Sequence, residues 1–199
     1  MATFTKTASA GSLLALQSVA ASAVAVGAAV DVSAKLGGLV YVRFGRRSAT
    51  AAGAGANIRI EASYTASGDN SWFPFAMFTS AFAACEAEAV SGTVAAGTAV
   101  ITVAATANLT AGDVIFIDNG TIANSEWARV KSISANTSVT VEDVLVNAAT
   151  GATLYDAAEI YAPVAIPEGA IRIRAVDDGS LFTQAHAIQV LYTTIDGIA

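Results

Sequence analysis

Four stretches alternate apolar and polar residues with a period of two, and nothing else constrains the fold as strongly. "GLVYVRFG" sets Val40, Val42 and Phe44 against Tyr41 and Arg43. "ANIRIEASY" sets Ile58 and Ile60 against Arg59 and Glu61. Near the other end, "GAIRIRAVDDG" places Ile171 and Ile173 opposite Arg172 and Arg174, ahead of an Asp-Asp-Gly turn, and "HAIQVLYTT" carries Ile188 and Val190 on one side. Side chains on an extended chain point alternately to opposite faces, so these are antiparallel strands with one buried face. "VDVSAKLGG" adds a strand and turn before Val40.

Between these flanks the chain is denser in turns. "GTAVITVAA", "GDVIFID", "EWARVKSIS", "SVTVEDVL" and "ATLYD" read as five short strands separated by Gly, Asn, Asp and Thr, a spacing that suits a small barrel or compact sandwich. No long helical periodicity supports alternating strands and helices. One short helix is expected in "FAMFTSAFAACEAEA", residues 75–89, where aromatics recur at roughly helical spacing. The fold class is mainly β: a discontinuous antiparallel β-sandwich, residues 1–88 and 158–199, with a small β-barrel or β-sandwich module inserted at residues 89–157. Insertion works where chain entry and exit lie close together at a surface turn. A linear pair of β domains is the competing layout. The aromatic run before the insertion, Trp72, Phe73, Phe75, Phe78 and Phe82, becomes a hinge, a seam or a subunit interface.

Hydrophobic residues make up 54% of the 199, but much of this is alanine, which buries little area per residue, so a thin core is expected. Charged residues are only 13%, which points to assembly covering part of each subunit's surface. The expected partner is a second copy of the chain. A net charge of −6 with ten dispersed Lys and Arg argues against a nucleic-acid surface. The one basic concentration, Arg43, Arg46 and Arg47 in "RFGRRS", reads as a rim salt bridge or solvated strand end. "GSLLALQSVAASAVAVGAAV", residues 11–30, is interrupted by Ser12, Gln17, Ser18 and Ser22. It reads as a flexible arm followed by β structure, with no membrane segment. "MATFTKTASA" is expected to be an arm ordered against another subunit.

The residues offered for chemistry are sparse. Cys85 is alone and reads as a small buried thiol. Gly112 and Asp113 precede "VIFID" as turn residues. Asp113, Asp118, Asn119 and Glu126 could supply hard oxygen ligands, yet they lack the dense spacing of a calcium loop. Asp177 and Asp178 read as hairpin-turn residues. His186, the sole histidine, reads as a strand or interface hydrogen bond. No serine nucleophile motif, zinc cluster or phosphate loop is present. Accordingly no catalytic, metal or cofactor-binding residue is assigned, no cofactor is expected, and the chain reads as non-enzymatic. Tyr64, Trp72, Phe73, Tyr155 and Tyr161 form the alternative, an aromatic carbohydrate surface, against the reading that they fill gaps or anchor subunits.

"LTAGDVIFIDNGTIANSEWARVKSISANTSVTVEDVLVNAATGATLYD", residues 109–156, resembles the small β modules of tailed-bacteriophage virion proteins. Its Ala-Gly-Asp turn, the "TSVTVEDVL" strand and the terminal "GATLYD" carry the likeness. "VDVSAKLGGLVYVRFG" and "IRIRAVDDGS" resemble strand-rich phage head or tail components. The resemblance implies a structural role in a virion without fixing its place there; decoration or cementing of the outer capsid surface is the expected role. A tail or neck joint protein and a carbohydrate-binding appendage are the alternatives. It implies synthesis in the host cytoplasm, contact with the major capsid protein or other virion proteins, and a homo-oligomer, with a trimer as the favoured symmetry.

Overall fold

The structure, a computed structural model, describes residues 6–68 and 71–198. Six strands precede the middle of the chain: β1 (Lys6–Val19), β2 (Val24–Val26), β3 (Val30–Asp31), β4 (Gly38–Arg46), β5 (Asn57–Ser63) and β6 (Trp72–Thr79). The middle contributes β7 (Ala87–Ala89), β8 (Thr93–Val94), β9 (Val100–Thr102), β10 (Val114–Asp118), β11 (Glu126–Ser134), β12 (Ser138–Val141), β13 (Ala149–Thr150) and β14 (Thr153–Tyr155). Four more follow: β15 (Glu159–Ile160), β16 (Val164–Ala165), β17 (Arg172–Asp178) and β18 (His186–Ile198). No α-helix occurs among the described residues, and Ile122–Asn124 form a 3₁₀ turn. The fold is mainly β and sandwich-like, built of antiparallel sheets, one of them curled into half a barrel.

The two ends of the chain interleave. One sheet runs β1-β18-β4, with β15 and β16 along the far edge of β4, and a second runs β2-β17-β5-β6, with β3 also on β17. Alternation places Val40, Val42, Phe44, Ile188 and Val190 of the first sheet against Ile58, Ile60, Ala62, Ile173 and Ala175 of the second, and all are buried. The middle strands pair only with one another, as β7-β14-β10-β11-β12-β9 and as β13-β8. They enclose their own cluster of Ile101, Ile115, Ile117, Val130, Val139, Val141 and Leu154. Entry and exit of this segment lie side by side, since Ala87 pairs with Tyr155 and Ala89 with Thr153. β-Branched residues supply most of both cores, and they suit a pleated, half-buried surface.

The seam between the flanks and the middle depends on β10 burying both its faces. Ile115 and Ile117 point into the middle cluster, while Phe116 turns the other way against Ala158 and Ala187. Phe116 seats directly on β4 at Gly45, where an added Cβ would lie 2.6 Å from Phe116 Cγ. Only glycine permits that approach. Trp127, tilted 4.9 Å from Phe116, donates its indole N–H to the Phe44 carbonyl at 2.9 Å. Arg47 closes the same seam with an ion pair to Asp118 at 2.7 Å. One of the three arginines of "RFGRRS" therefore makes the expected rim salt bridge.

Two sequence expectations are corrected. Of the proposed arm, residues 1–5 lie outside the described residues, but Lys6–Ala10 belong to β1 and pair with β18 of the same chain, Ala8 opposite Ile195 and Ala10 opposite Thr193. Residues 11–19, also read as arm, continue that strand. The ladder satisfies backbone groups whatever the side chains are, so a run of Ala, Ser and Thr can join a sheet without any alternation to announce it. No helix of the described residues is long and apolar enough to cross a membrane. The helix expected at 75–89 is instead the end of β6, a loop and β7. β6 pairs with β5 through a register shift in which Ala76 faces Ile60 and Pro74 faces Glu61, leaving Phe75 as the extra residue. That bulge displaces the aromatics from strict alternation and produces a spacing that mimics a helix.

Replacing Phe116 by alanine should remove the main apolar contact of the seam. The expected loss is about 3–5 kcal/mol of unfolding free energy, measured by denaturant titration. A loss under about 1 kcal/mol would show that the flanks and the middle hold independently of this residue.

Candidate subunit-contact surface

The aromatic run is divided by the sheet it joins. Phe75 and Phe78 pack against the sandwich core, and Phe78 also meets Tyr161 at 4.7 Å between ring centroids. Trp72 lies under two guanidinium groups, Arg174 at 4.3 Å and Arg172 at 4.8 Å from the ring centre, an attraction of cation to π face. Phe73 and Phe82 stay open, 59% and 49% exposed, together with Met77 at 64%. The structure thus assigns two of the five aromatics to the core, one to an arginine clamp and two to the surface.

β6 is the last strand of its sheet, so its outer backbone edge joins no ladder among the described residues. Pro74 lies within it at the register shift. Proline has no N–H to donate and blunts an edge against strand addition.

The loop after β6 is exposed at Phe82, Ala83 and Ala84, yet it is tied down. Ala52 N–H donates to the Phe82 carbonyl at 2.8 Å, and Cys85 N–H to the Ala49 carbonyl at 3.0 Å. Ala81 N–H donates to Glu159 Oε2 at 2.9 Å. Arg46, fully buried, donates from Nη1 to the Ala83 carbonyl at 2.8 Å and from Nη2 to the carbonyls of Ser48, at 3.1 Å, and Thr50. One guanidinium thus joins the loop after β4 to the loop after β6. Its planar fork of donors suits several carbonyls at once.

Arg46 sits in a buried polar cluster. Its cross-strand partner is His186, which stacks on Phe44 at 5.1 Å and 27° and meets Phe182 edge-on at 4.9 Å. His186 Nε2 lies 2.7 Å from Asp177 Oδ2, and both side chains are completely buried. The Arg46 guanidinium lies over the Phe182 ring, 5.3 Å from its centre. Arg46 Nε, Asp177 Oδ1 and His186 Nδ1 have no protein partner. A His–Asp pair sealed in this way has no access to a substrate, so it organises the interior. His186 makes the strand hydrogen bond expected of it. Two other readings are corrected: Asp177 is a buried strand residue and not a turn residue, and Arg46 is buried and not a solvated strand end. Period two held the signal for all three. Arg46 continues the inward series Val40, Val42, Phe44, Asp177 continues Ile173 and Ala175, and His186 precedes Ile188 and Val190.

The other oxygen-bearing residues are engaged locally. Asp113 accepts from Thr110 N–H at 2.7 Å and from its hydroxyl at 2.9 Å. Asp178, read as a turn residue, is instead the last residue of β17, where it accepts from the Ser180 hydroxyl at 2.7 Å and pairs with Arg59 at 3.2 Å. Glu126 accepts from the N–H groups of Val146 and Asn147 at 3.0 and 2.9 Å. Asp118 faces Arg47. No group of three or more His, Cys, Asp or Glu side chains gathers as metal ligands would among the described residues.

Cys85 is half-buried, more open than expected, and burial pushes its pKa up, away from the thiolate that nucleophilic chemistry requires. Burial, then the Glu159 carboxylate accepting its O–H at 2.8 Å, pushes the Tyr161 phenol far up. Of the residues offered as a carbohydrate surface, Tyr161 is occupied with Phe78 and Glu159, Tyr155 packs at the seam with Phe116, and Trp72 is clamped. Tyr64 and Phe73 remain exposed. No protein-family model matches the chain, and no curated protein matches it.

Removing one member of a buried pair leaves the other's polar group uncompensated. Asp177→Ala should therefore lower the unfolding free energy by about 3–5 kcal/mol, as read by denaturant titration. A variant as stable as the parent would show that the pair contributes nothing to the fold.

Proposed function

We propose that the chain is a non-enzymatic structural protein of a tailed-phage particle, decorating or cementing the capsid through contacts between subunits. The observation that carries this reading is a set of large apolar side chains, Phe73, Met77 and Phe82, exposed along β6 and on the loop after it, where buried hydrogen bonds fix the backbone. A surface ordered before it meets a partner loses less entropy on binding than one that must first be ordered. Low charge over the whole chain supports the same conclusion, since charged residues are depleted at the centre of contact patches.

The proposal takes residues 89–157 as an inserted module and the flanks as one discontinuous sandwich. The side-by-side entry and exit at β7 and β14 support that division. Its partners are further copies of the chain, as a trimer, and the major capsid protein, on the outer surface of the shell. A protein that binds the closed shell and not the opened one stabilises the closed state by mass action.

Electron imaging of intact particles carrying labelled protein tests the assignment. Density at repeated positions on the outer capsid is expected. Label confined to the tail would contradict it and favour a joint protein.

A further inference from the structure

We infer that copies of the chain associate head to tail, the loop from Phe82 to Glu86 of one copy seating in a groove on the β1-β18-β4 sheet of the next, with Glu86 paired to Arg43. This rests on the reading of the exposed loop as a subunit contact and names what receives it.

The groove is an open depression along that sheet with a volume of about 600 Å³, lined by Leu16, Tyr41, Arg43, Gln189, Leu191 and Tyr192 among others. Its composition follows from alternation. Tyr41 and Arg43 stand between the buried Val40, Val42 and Phe44 of β4, and Gln189 stands between the buried Ile188 and Val190 of β18, with Leu191 next in the same outward series. On β1 the wall is low, because Ala10, Gly11, Ser12 and Ala15 are small. A mostly apolar trough with a few polar groups is the usual form of a recognition site.

Arg43 gives the groove its sign. Arg47, Arg59, Arg129 and Arg174 each have a carboxylate partner, whereas Arg43 has none among the described residues. Its guanidinium stands 6.0 Å from the centre of the Trp127 ring. The loop supplies the complement. Phe82, Ala83 and Ala84 present an exposed apolar tip, and Glu86, four residues after Phe82, is exposed with no basic partner among the described residues. An apolar trough holding an unpaired cation therefore meets an apolar tip followed by an unpaired anion. Burying either charge alone would be costly, and burying them together offsets that cost. Groove and loop are different patches, so the contact is heterologous. It closes into a ring when the rotation between copies permits.

Mass measurement across a dilution series, on the parent chain, Arg43→Glu, Glu86→Arg and an equimolar mixture of the two variants, tests the contact. The parent is expected to assemble, and each reversal to weaken assembly by about tenfold or more. The mixture should recover association wherever the two variants alternate, two of every three contacts in a trimeric ring, because the reversed groove of one variant meets the reversed loop of the other. That recovery also shows that both variants fold. Assembly indifferent to both reversals, or weakened without recovery in the mixture, overturns the head-to-tail contact and leaves the wider reading of subunit contacts standing. A parent chain that stays monomeric at every concentration overturns both.

Discussion

A guanidinium buried in an all-β interior needs acceptors, and the carbonyls that Arg46 reaches from Nη1 and Nη2 shape the exposed face of this protein. Its donors reach carbonyls of two separate loops, 48–50 and 83. Hydrogen bonds to a charged group are worth about 1.5–3 kcal/mol each, more than neutral ones. Losing either loop would strand a charge in the interior, so the two loops are held as a unit. The apolar tip at Phe82 is thus held in part by a fully buried polar residue. His186 and Asp177 pack beside it and fill the same end of the sandwich with paired polar groups.

The second constraint is geometric. A chain rich in alanine builds its cores from comparatively few Ile, Val, Leu and Phe residues, and joining two such cores needs a tight fit. Phe116 obtains it by lying on Gly45, with Trp127 and the Arg47–Asp118 pair on either side. The contact shares β4 with Arg46, one residue after Gly45. The end of β4 is thus common to the seam, the buried polar cluster and the anchored loop. A disturbance there should reach the contact surface even though no exposed residue changes.

Much of the sandwich was legible because period two is a direct record of burial. The four alternating stretches became β4, β5, β17 and β18, and turn residues marked out the short strands of the middle. β1 was illegible for a physical reason: its small side chains carry no alternation, and its place is set by the ladder to β18. Residues 75–89 misled because the bulge at Phe75 breaks the alternation of β6. The candidate surface was half legible. That aromatics gather there is plain from the sequence, but which ones turn inward depends on pairing with β5 and on the Arg172 and Arg174 side chains of β17. Asp177 shows the reverse case. Its neighbour Gly179 invites a turn reading, while the alternation running through Ile173 and Ala175 already aims it at the core.

Polar contacts of the buried Arg46 hold the exposed apolar loop in place, and hydrogen exchange on Arg46→Met tests whether they do. Methionine keeps much of the side chain's bulk and removes its donors. Faster exchange is expected at the amides of Ala52 and Cys85, which bridge the two loops, with protection in β10 and β11 unchanged. Protection at those two amides equal to that of the parent chain would contradict it.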